Sequence, residues 1–180
     1  MSKEQLSIRL FLSSYLTDHE LGSKNVVFKL YTVSDDVYNQ FSREDWEMIF
    51  PSVNEAEFNQ WLYRDDMVML TSFYRGLSTA FGFLCFQAVP NCSTNIYFHG
   101  GTWSHSIREQ MYAYEGLIYL LKFFWNEGFE ILVTCLKNNA KSNRFLNSLG
   151  FVEFERDVNL LYKYLDIEKF NESPIVKRFL

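Results

Sequence analysis

Residues 95–149 restrict the fold more than any other part of the sequence. "NIYFHGGTW" (95–103) is β-branched and aromatic, 107–126 has helical periodicity, "FEILVTCL" (129–136) is a buried strand, and "NAKSNRFLNSL" (139–149) is a helix stopped by Gly150. A strand followed by a helix and a second strand in one sheet implies a parallel, right-handed crossover. The chain therefore contains at least one parallel strand pair with a helix on each side of its second strand.

The remaining elements complete the sheet. "VVFKLYTV" (26–33) reads as a strand, and "SDDVYNQFSREDWEMIF" (34–50) as a helix with Ser34 or Asp35 as N-cap, ended by Pro51. "NEAEFNQWLYRD" (54–65) reads as a second short helix, with Phe58, Trp61 and Leu62 on one face. "MVMLTSFY" (67–74), "FGFLCFQAV" (81–89) and residues 95–103 suggest an antiparallel meander, while "FVEFE" (151–155) and "NLLYKYL" (159–165) suggest a hairpin. The first 24 residues read as an uncertain N-terminal extension in which "LSIRLFL" resembles an extra strand, and 166–180 as a polar, loosely attached tail. The expected class is α+β: a mixed sheet of six to seven strands flanked by about four helices, in a single domain over residues 1–180.

Charge narrows the partners. The 180 residues carry 17 basic and 22 acidic side chains, a formal net charge of −5, with the basic residues scattered, so a broad nucleic-acid or anionic-membrane surface is not expected. The longest apolar run, "GLIYLLKFFW", is interrupted by Lys122 and too short to span a bilayer. Cys85, Cys92 and Cys135 are odd in number and lack metal-ligand spacing. A reduced, cytoplasmic setting without a bound metal is the expectation.

"NNAKSNRFLNSLGF" carries the pattern N-x-x-S-x-R-x-L-x-x-L-G-F through Asn139, Ser142, Arg144, Leu146, Leu149, Gly150 and Phe151. This resembles the fourth-helix motif of the GCN5-related N-acetyltransferase (GNAT) superfamily, in the form used by the ribosomal-protein N-terminal acetyltransferases. Upstream, "MYAYEGL" is similar to that branch's G-Y-A-x-E-A-L helix opening, keeping Tyr112, Ala113, Glu115 and Leu117, with Gly116 in place of alanine. The resemblance extends over about residues 25–165 by element order and is sharp over 108–151.

The resemblance implies an acetyl-CoA cosubstrate whose pyrophosphate lies on the turn before the family's third helix, at the signature [QR]-x-x-G-x-[GA]. Helix N-termini suit this task because their first amides are unpaired and the macrodipole favours negative charge there. The matching positions are Arg108, Glu109, Gln110, Met111, Tyr112 and Ala113, so Met111 stands where the signature has glycine. A backbone cradle loses no donor by this change. A positive φ at Met111 would cost about 1–2 kcal/mol and a helical φ almost nothing. The resemblance also implies that Asn139 contacts the pantetheine or caps its helix, and that Ser142 meets the CoA sulfur as the acid for the leaving thiolate. The fourth-helix tyrosine that many members use is replaced by Leu146.

Acyl transfer to an amine also needs a base. Strict alternation would put Tyr97, His99, Gly101 and Trp103 on one face of the strand and Ile96, Phe98, Gly100 and Thr102 on the other. With no carboxylate on this strand, His99 is the candidate base, Tyr97 a candidate cleft residue, and the backbone near Trp103 a candidate donor to the thioester carbonyl. Gly100 and Gly101 mark either a bulge or a simple turn. The expected activity is N-acetylation of a primary amine on a peptide N-terminus, a lysine or a small molecule, or transfer of a longer acyl group. The alternative is a catalytically silent member of the fold that binds a ligand or protein. The oligomeric state, including a homodimer, is left open.

Overall fold

The computed structural model describes residues 7–31, 56, 60, 64–78, 80–103 (backbone only at 102 and 103) and 111–180. Eight strands form one sheet in the order β1-β2-β3-β4-β5-β6-β8-β7. They are β1 (Leu21–Gly22), β2 (Val26–Leu30), β3 (Met67–Tyr74), β4 (Ala80–Ala88), β5 (Asn95–Trp103), β6 (Glu130–Leu136), β7 (Phe151–Arg156) and β8 (Leu160–Leu165). The described helices are α1 (Ile8–Asp18), α2 (Tyr112–Asn126), α3 (Ala140–Ser148), α4 (Ile167–Glu172) and α5 (Pro174–Lys177). The α+β class and mixed sheet agree with the sequence, and the two-residue β1 raises the strand count above six to seven. The two helices expected between 34 and 65 lie outside the described residues, apart from Ala56 and Gln60, which are helical, and Arg64 and Asp65, which are not.

Strands β2 to β5 are antiparallel neighbours, as a meander requires, whereas β5 and β6 are parallel. The helix α2 makes the crossover between them. Its apolar stripe buries Leu117, Ile118, Leu120, Leu121 and Phe124 in the main core, with Phe86 of β4 against Phe124 at 4.7 Å between ring centroids. Gly116, which departs from the alanine of the resembled motif, has a packing reason. A Cβ there would lie 2.9 Å from the ring of Phe28 on β2, so glycine lets α2 approach the sheet.

Two expectations at the termini are corrected. The described part of "LSIRLFL", residues 7–12, does not form a strand; Ile8 to Leu12 open α1, which Ser7 caps by accepting the Leu10 amide. Alternation would have buried Leu10, yet Leu10 is 69% exposed, while Ile8 and Leu12 are fully buried and Phe11, Tyr15 and Leu16 pack beside them. Apolar positions at 8, 11, 12, 15 and 16 follow the helical period, and burying Ile8 and Leu12 contributes about 1.5–3 kcal/mol each. Nor is the C-terminal tail loose. Phe170 of α4 and Val176 of α5 are fully buried, and the Ser173 hydroxyl donates to the Ser148 carbonyl at 2.6 Å. The chain passes so close that a Cβ on Gly150 would lie 2.5 Å from the Phe170 nitrogen.

Candidate active site

The site begins where the parallel pair stops. The β5–β6 ladder runs from Asn95↔Glu130 to Phe98↔Val133 and ends there. Beyond it Gly100 to Trp103 pair with β4, and Thr134 to Leu136 pair with β8. A gap therefore opens between the carboxyl ends of two parallel strands, the place where open α/β sheets receive ligands. The chain leaving β5 leads to the N-terminus of α2, and the chain leaving β6 leads directly to the N-terminus of α3.

The parting of the strands has a local cause. On β4, Cys85 faces Gly100 and Phe86 faces Phe98, so His99 is an extra residue on β5, a β-bulge. Gly100 holds φ at 117°, and a Cβ on Gly101 would lie 2.3 Å from the Phe83 carbonyl oxygen. The pair marks the bulge and not a turn. The bulge also overturns the expected face assignment. Tyr97 lies opposite Gln87 and His99 reaches the same Gln87, but Gly101 lies opposite Leu84 and position 103 opposite Gly82, on the other face. Tyr97 and His99 are grouped as expected; Gly101 and Trp103 are not with them, because one inserted residue reverses the alternation after it.

His99 sits in a polar chain that sequence reading did not find. His99 Nε2 is 2.7 Å from Gln87 Oε1, Gln87 Nε2 donates to Asp66 Oδ2 at 2.9 Å, and Arg64 donates to both Asp66 oxygens at 2.9 and 2.6 Å. His99 is exposed at the surface, yet desolvation of its ring lowers the imidazole pKa below the ordinary value, the Arg64 charge adding to this and Asp66 opposing it. Burial works to raise the Asp66 carboxyl, but the hydrogen bonds from Arg64 and Gln87 outweigh it and hold that carboxyl below its usual range. The available signal was Gln87 itself, a polar residue inside an apolar strand.

At the start of α2, Met111 adopts φ 65° and ψ 3°, the left-handed conformation, and no side chain caps the helix there. Intrahelical bonding begins with the Tyr114 and Glu115 amides on the Met111 carbonyl, so the amides of Tyr112 and Ala113 precede the ladder. A cleft of about 360 Å³ lies beside this turn, lined by Lys24, Met111, Tyr112, Glu115, Arg178 and Phe179, among others. The two cations among its described lining residues, Lys24 and Arg178, come from distant parts of the chain. The β1–β2 turn that carries Lys24 is held by Glu115, which accepts from Ser23 Oγ at 2.6 Å and Asn25 N at 2.9 Å, and by Arg75, which donates to the Ser23 carbonyl at 2.8 Å. Tyr112 packs edge-on against Tyr74, 5.1 Å between centroids. Ala113 is buried. Arg108, Glu109 and Gln110 lie outside the described residues.

At the start of α3, Asn139 is the N-cap, its side-chain oxygen accepting the Ser142 amide at 3.0 Å. Asn143 reinforces the junction by donating to the Leu136 carbonyl and accepting from the Cys135 thiol. Ser142 is half-buried in the first turn of the helix that follows β6. Leu146, at the position of the family's tyrosine, is 4% exposed and part of the core. No group of metal-ligating side chains occurs among the described residues, and no described helix is long and apolar enough to cross a membrane.

A mixed sheet whose one parallel pair parts beyond Phe98 and Val133, with α2 following β5 and α3 following β6 in the chain, defines an α+β architecture. The particular fold is that of the GCN5-related N-acetyltransferases. It matches a probable GNAT-family acetyltransferase from Chromobacterium violaceum with TM-score 0.70 and 16% identity over 84% of this chain and 88% of that one. A GCN5-related N-acetyltransferase from Brucella melitensis matches with TM-score 0.67 and 16% identity over 89% and 83%. The PaiA N-acetyltransferase from Thermoplasma acidophilum, solved with coenzyme A, matches with TM-score 0.55 and 15% identity over 77% and 97%. No family model and no curated protein matches the sequence.

Proposed function

We propose that this protein is an acetyl-CoA-dependent N-acetyltransferase acting on a primary amine. The observation that carries the reading is the left-handed conformation of Met111. At the position where the resembled signature has glycine, the backbone takes the conformation that glycine adopts without strain, and a bulky residue is held there at a cost of about 1–2 kcal/mol. A strained turn kept at a helix start, with unpaired amides behind it and Lys24 and Arg178 lining the adjoining cleft, suits a pyrophosphate. Arg108 would add a third cation. Bound there, acetyl-CoA supplies an activated thioester to the gap between β5 and β6.

Around that gap each residue has a task. His99, neutral because its pKa is lowered, accepts the proton of the incoming ammonium or of the amine as it attacks. The backbone of β5 near Trp103 donates to the carbonyl oxygen as negative charge develops on it. The Ser142 hydroxyl donates to the departing thiolate. Asn139 sets the first turn of α3 and with it the direction of Ser142. Tyr97, on the face of His99, lines the approach of the acceptor, which the acidic balance favours as a cation.

A second reading, a ligand-binding member of the fold without turnover, is favoured by the burial of Leu146 where a tyrosine would act. Calorimetric titration with acetyl-CoA and CoA on wild type and Arg108→Ala, followed by turnover against peptide, lysine and small-molecule amines, separates the two. Heat with both ligands and acetyl transfer to an amine are expected. Heat without transfer favours the second reading, and no heat rejects the acetyltransferase.

A further inference from the structure

We propose that Gln87, oriented by the Asp66–Arg64 pair, is a positioning residue that fixes His99 in its Nε2–H tautomer and so places the basic lone pair on Nδ1. The inference deepens the reading of His99 as the base and rests on it for its catalytic meaning.

The argument runs along the chain of hydrogen bonds from its charged end. Asp66 engages both oxygens with Arg64, at 2.9 and 2.6 Å, and its side chain is only 14% exposed, so it is a carboxylate that can accept and not donate. The Gln87 group 2.9 Å from Asp66 Oδ2 must then be the amide NH₂. A flipped amide would set oxygen against oxygen. With that end fixed, Oε1 is the group 2.7 Å from His99 Nε2, and a carbonyl oxygen only accepts. Nε2 therefore carries the hydrogen, and in the neutral ring Nδ1 carries the lone pair.

The fold holds each link in place. The Ala88 amide donates to the Asp66 carbonyl at 2.8 Å, which ties the start of β3 to the end of β4, and Gln87 lies opposite Tyr97 in the β4–β5 ladder. The bulge turns His99 toward that same Gln87. Protonation at Nδ1 leaves the Nε2–H···Oε1 bond intact, so the base can take up and release a proton without rebuilding the network.

The test is made on the full chain with ¹⁵N-labelled histidine, using long-range ¹H–¹⁵N correlation above the pKa of the ring, the His99 signals being identified by their loss in His99→Gln. In wild type a single tautomer with Nε2 protonated and Nδ1 unprotonated is expected. In Gln87→Met and Asp66→Asn the two nitrogens should move toward averaged shifts, and kcat should fall about tenfold with the KM for acetyl-CoA unchanged. A wild-type ring protonated on Nδ1, or a wild-type tautomer retained in both variants, overturns the proposal. The tautomer is read without turnover, so a chain that shows it but transfers no acetyl group overturns the catalytic reading of His99 alone and leaves the positioning by Gln87 supported.

Discussion

Glu115, on the first turn of α2, accepts hydrogen bonds from both the backbone amide and the side-chain amide of Asn25, each at 2.9 Å. With Ser23 as a third donor, this buried carboxylate joins the start of α2 to the β1–β2 turn. In the sequence Glu115 was only a letter of a family motif; in the structure it is a clamp on the turn that carries Lys24. Glu115→Ala should destabilise the protein by about 2 kcal/mol, since it leaves the Asn25 and Ser23 donors without their acceptor. Urea unfolding checks this, with the slope expected to stay constant.

The same clamp sets an acid dependence. Burial alone would raise the Glu115 pKa, but the hydrogen bonds from Asn25 and Ser23 outweigh it and the folded-state pKa is lowered. Its contribution is therefore fully present above the unfolded value of about 4.3 and is lost as pH falls through the lower, folded value. Thermal melts of wild type should drop more steeply than those of Glu115→Gln below about pH 4.3. Parallel curves would remove Glu115 as the cause.

Met111→Gly should relieve the left-handed strain and stabilise the protein by up to about 1 kcal/mol, the greater freedom of glycine in the unfolded chain offsetting part of the gain. Removing the side chain beside the Tyr112 and Ala113 amides should also tighten CoA binding. Calorimetry on the variant reads both. Weaker binding would mean that the methionine side chain itself holds the ligand.

Desolvation, assisted by the charge of Arg64, lowers the His99 pKa. With His99 as the proposed base, the acid limb of kcat/KM should lie under the ordinary imidazole value of about 6.5 and disappear in His99→Ala. A limb at or above 6.5 would point to a different base.

Asn139→Ala should cost about 1 kcal/mol through loss of the α3 cap, and Asn139→Asp should recover most of it. If Asn139 serves only as a cap, Asn139→Asp will also keep the wild-type KM for acetyl-CoA. A raised KM in the stable variant would add a direct contact with the pantetheine.

Much of the fold could be read locally. The strand–helix–strand–helix rhythm of 95–149 was legible because 3.6 and 2.0 periods are carried by neighbouring residues, and the motif ending in Leu149, Gly150 and Phe151 lies within one helix and its stop. The tail was misread for a related reason. Phe170 stands alone between polar residues and Val176 sits in the short run Pro174-Ile175-Val176, and only docking, Phe170 against Gly150 and both against the core, gives them a place. At the N-terminus, Leu10 satisfied an alternating pattern as well as a helical one leaves it outside, so the length and packing of α1 decided.

The sequence by itself determined the strands β2 to β8, the parallel crossover and the positions matching the GNAT signature, because each depends on local pattern and connection rules. Tertiary structure decided what the described residues among those positions touch. One inserted residue at His99 separated it from Gly101 and position 103 and brought it to Gln87 on β4 and, through Gln87, to Asp66 before β3, residues that no local pattern relates to residue 99. The sign of φ at Met111 was likewise undetermined by its side chain. It is positive, 65°, at the start of a helix that Glu115 holds to the β1–β2 turn, ninety residues away at Asn25, a pairing that no local pattern carries.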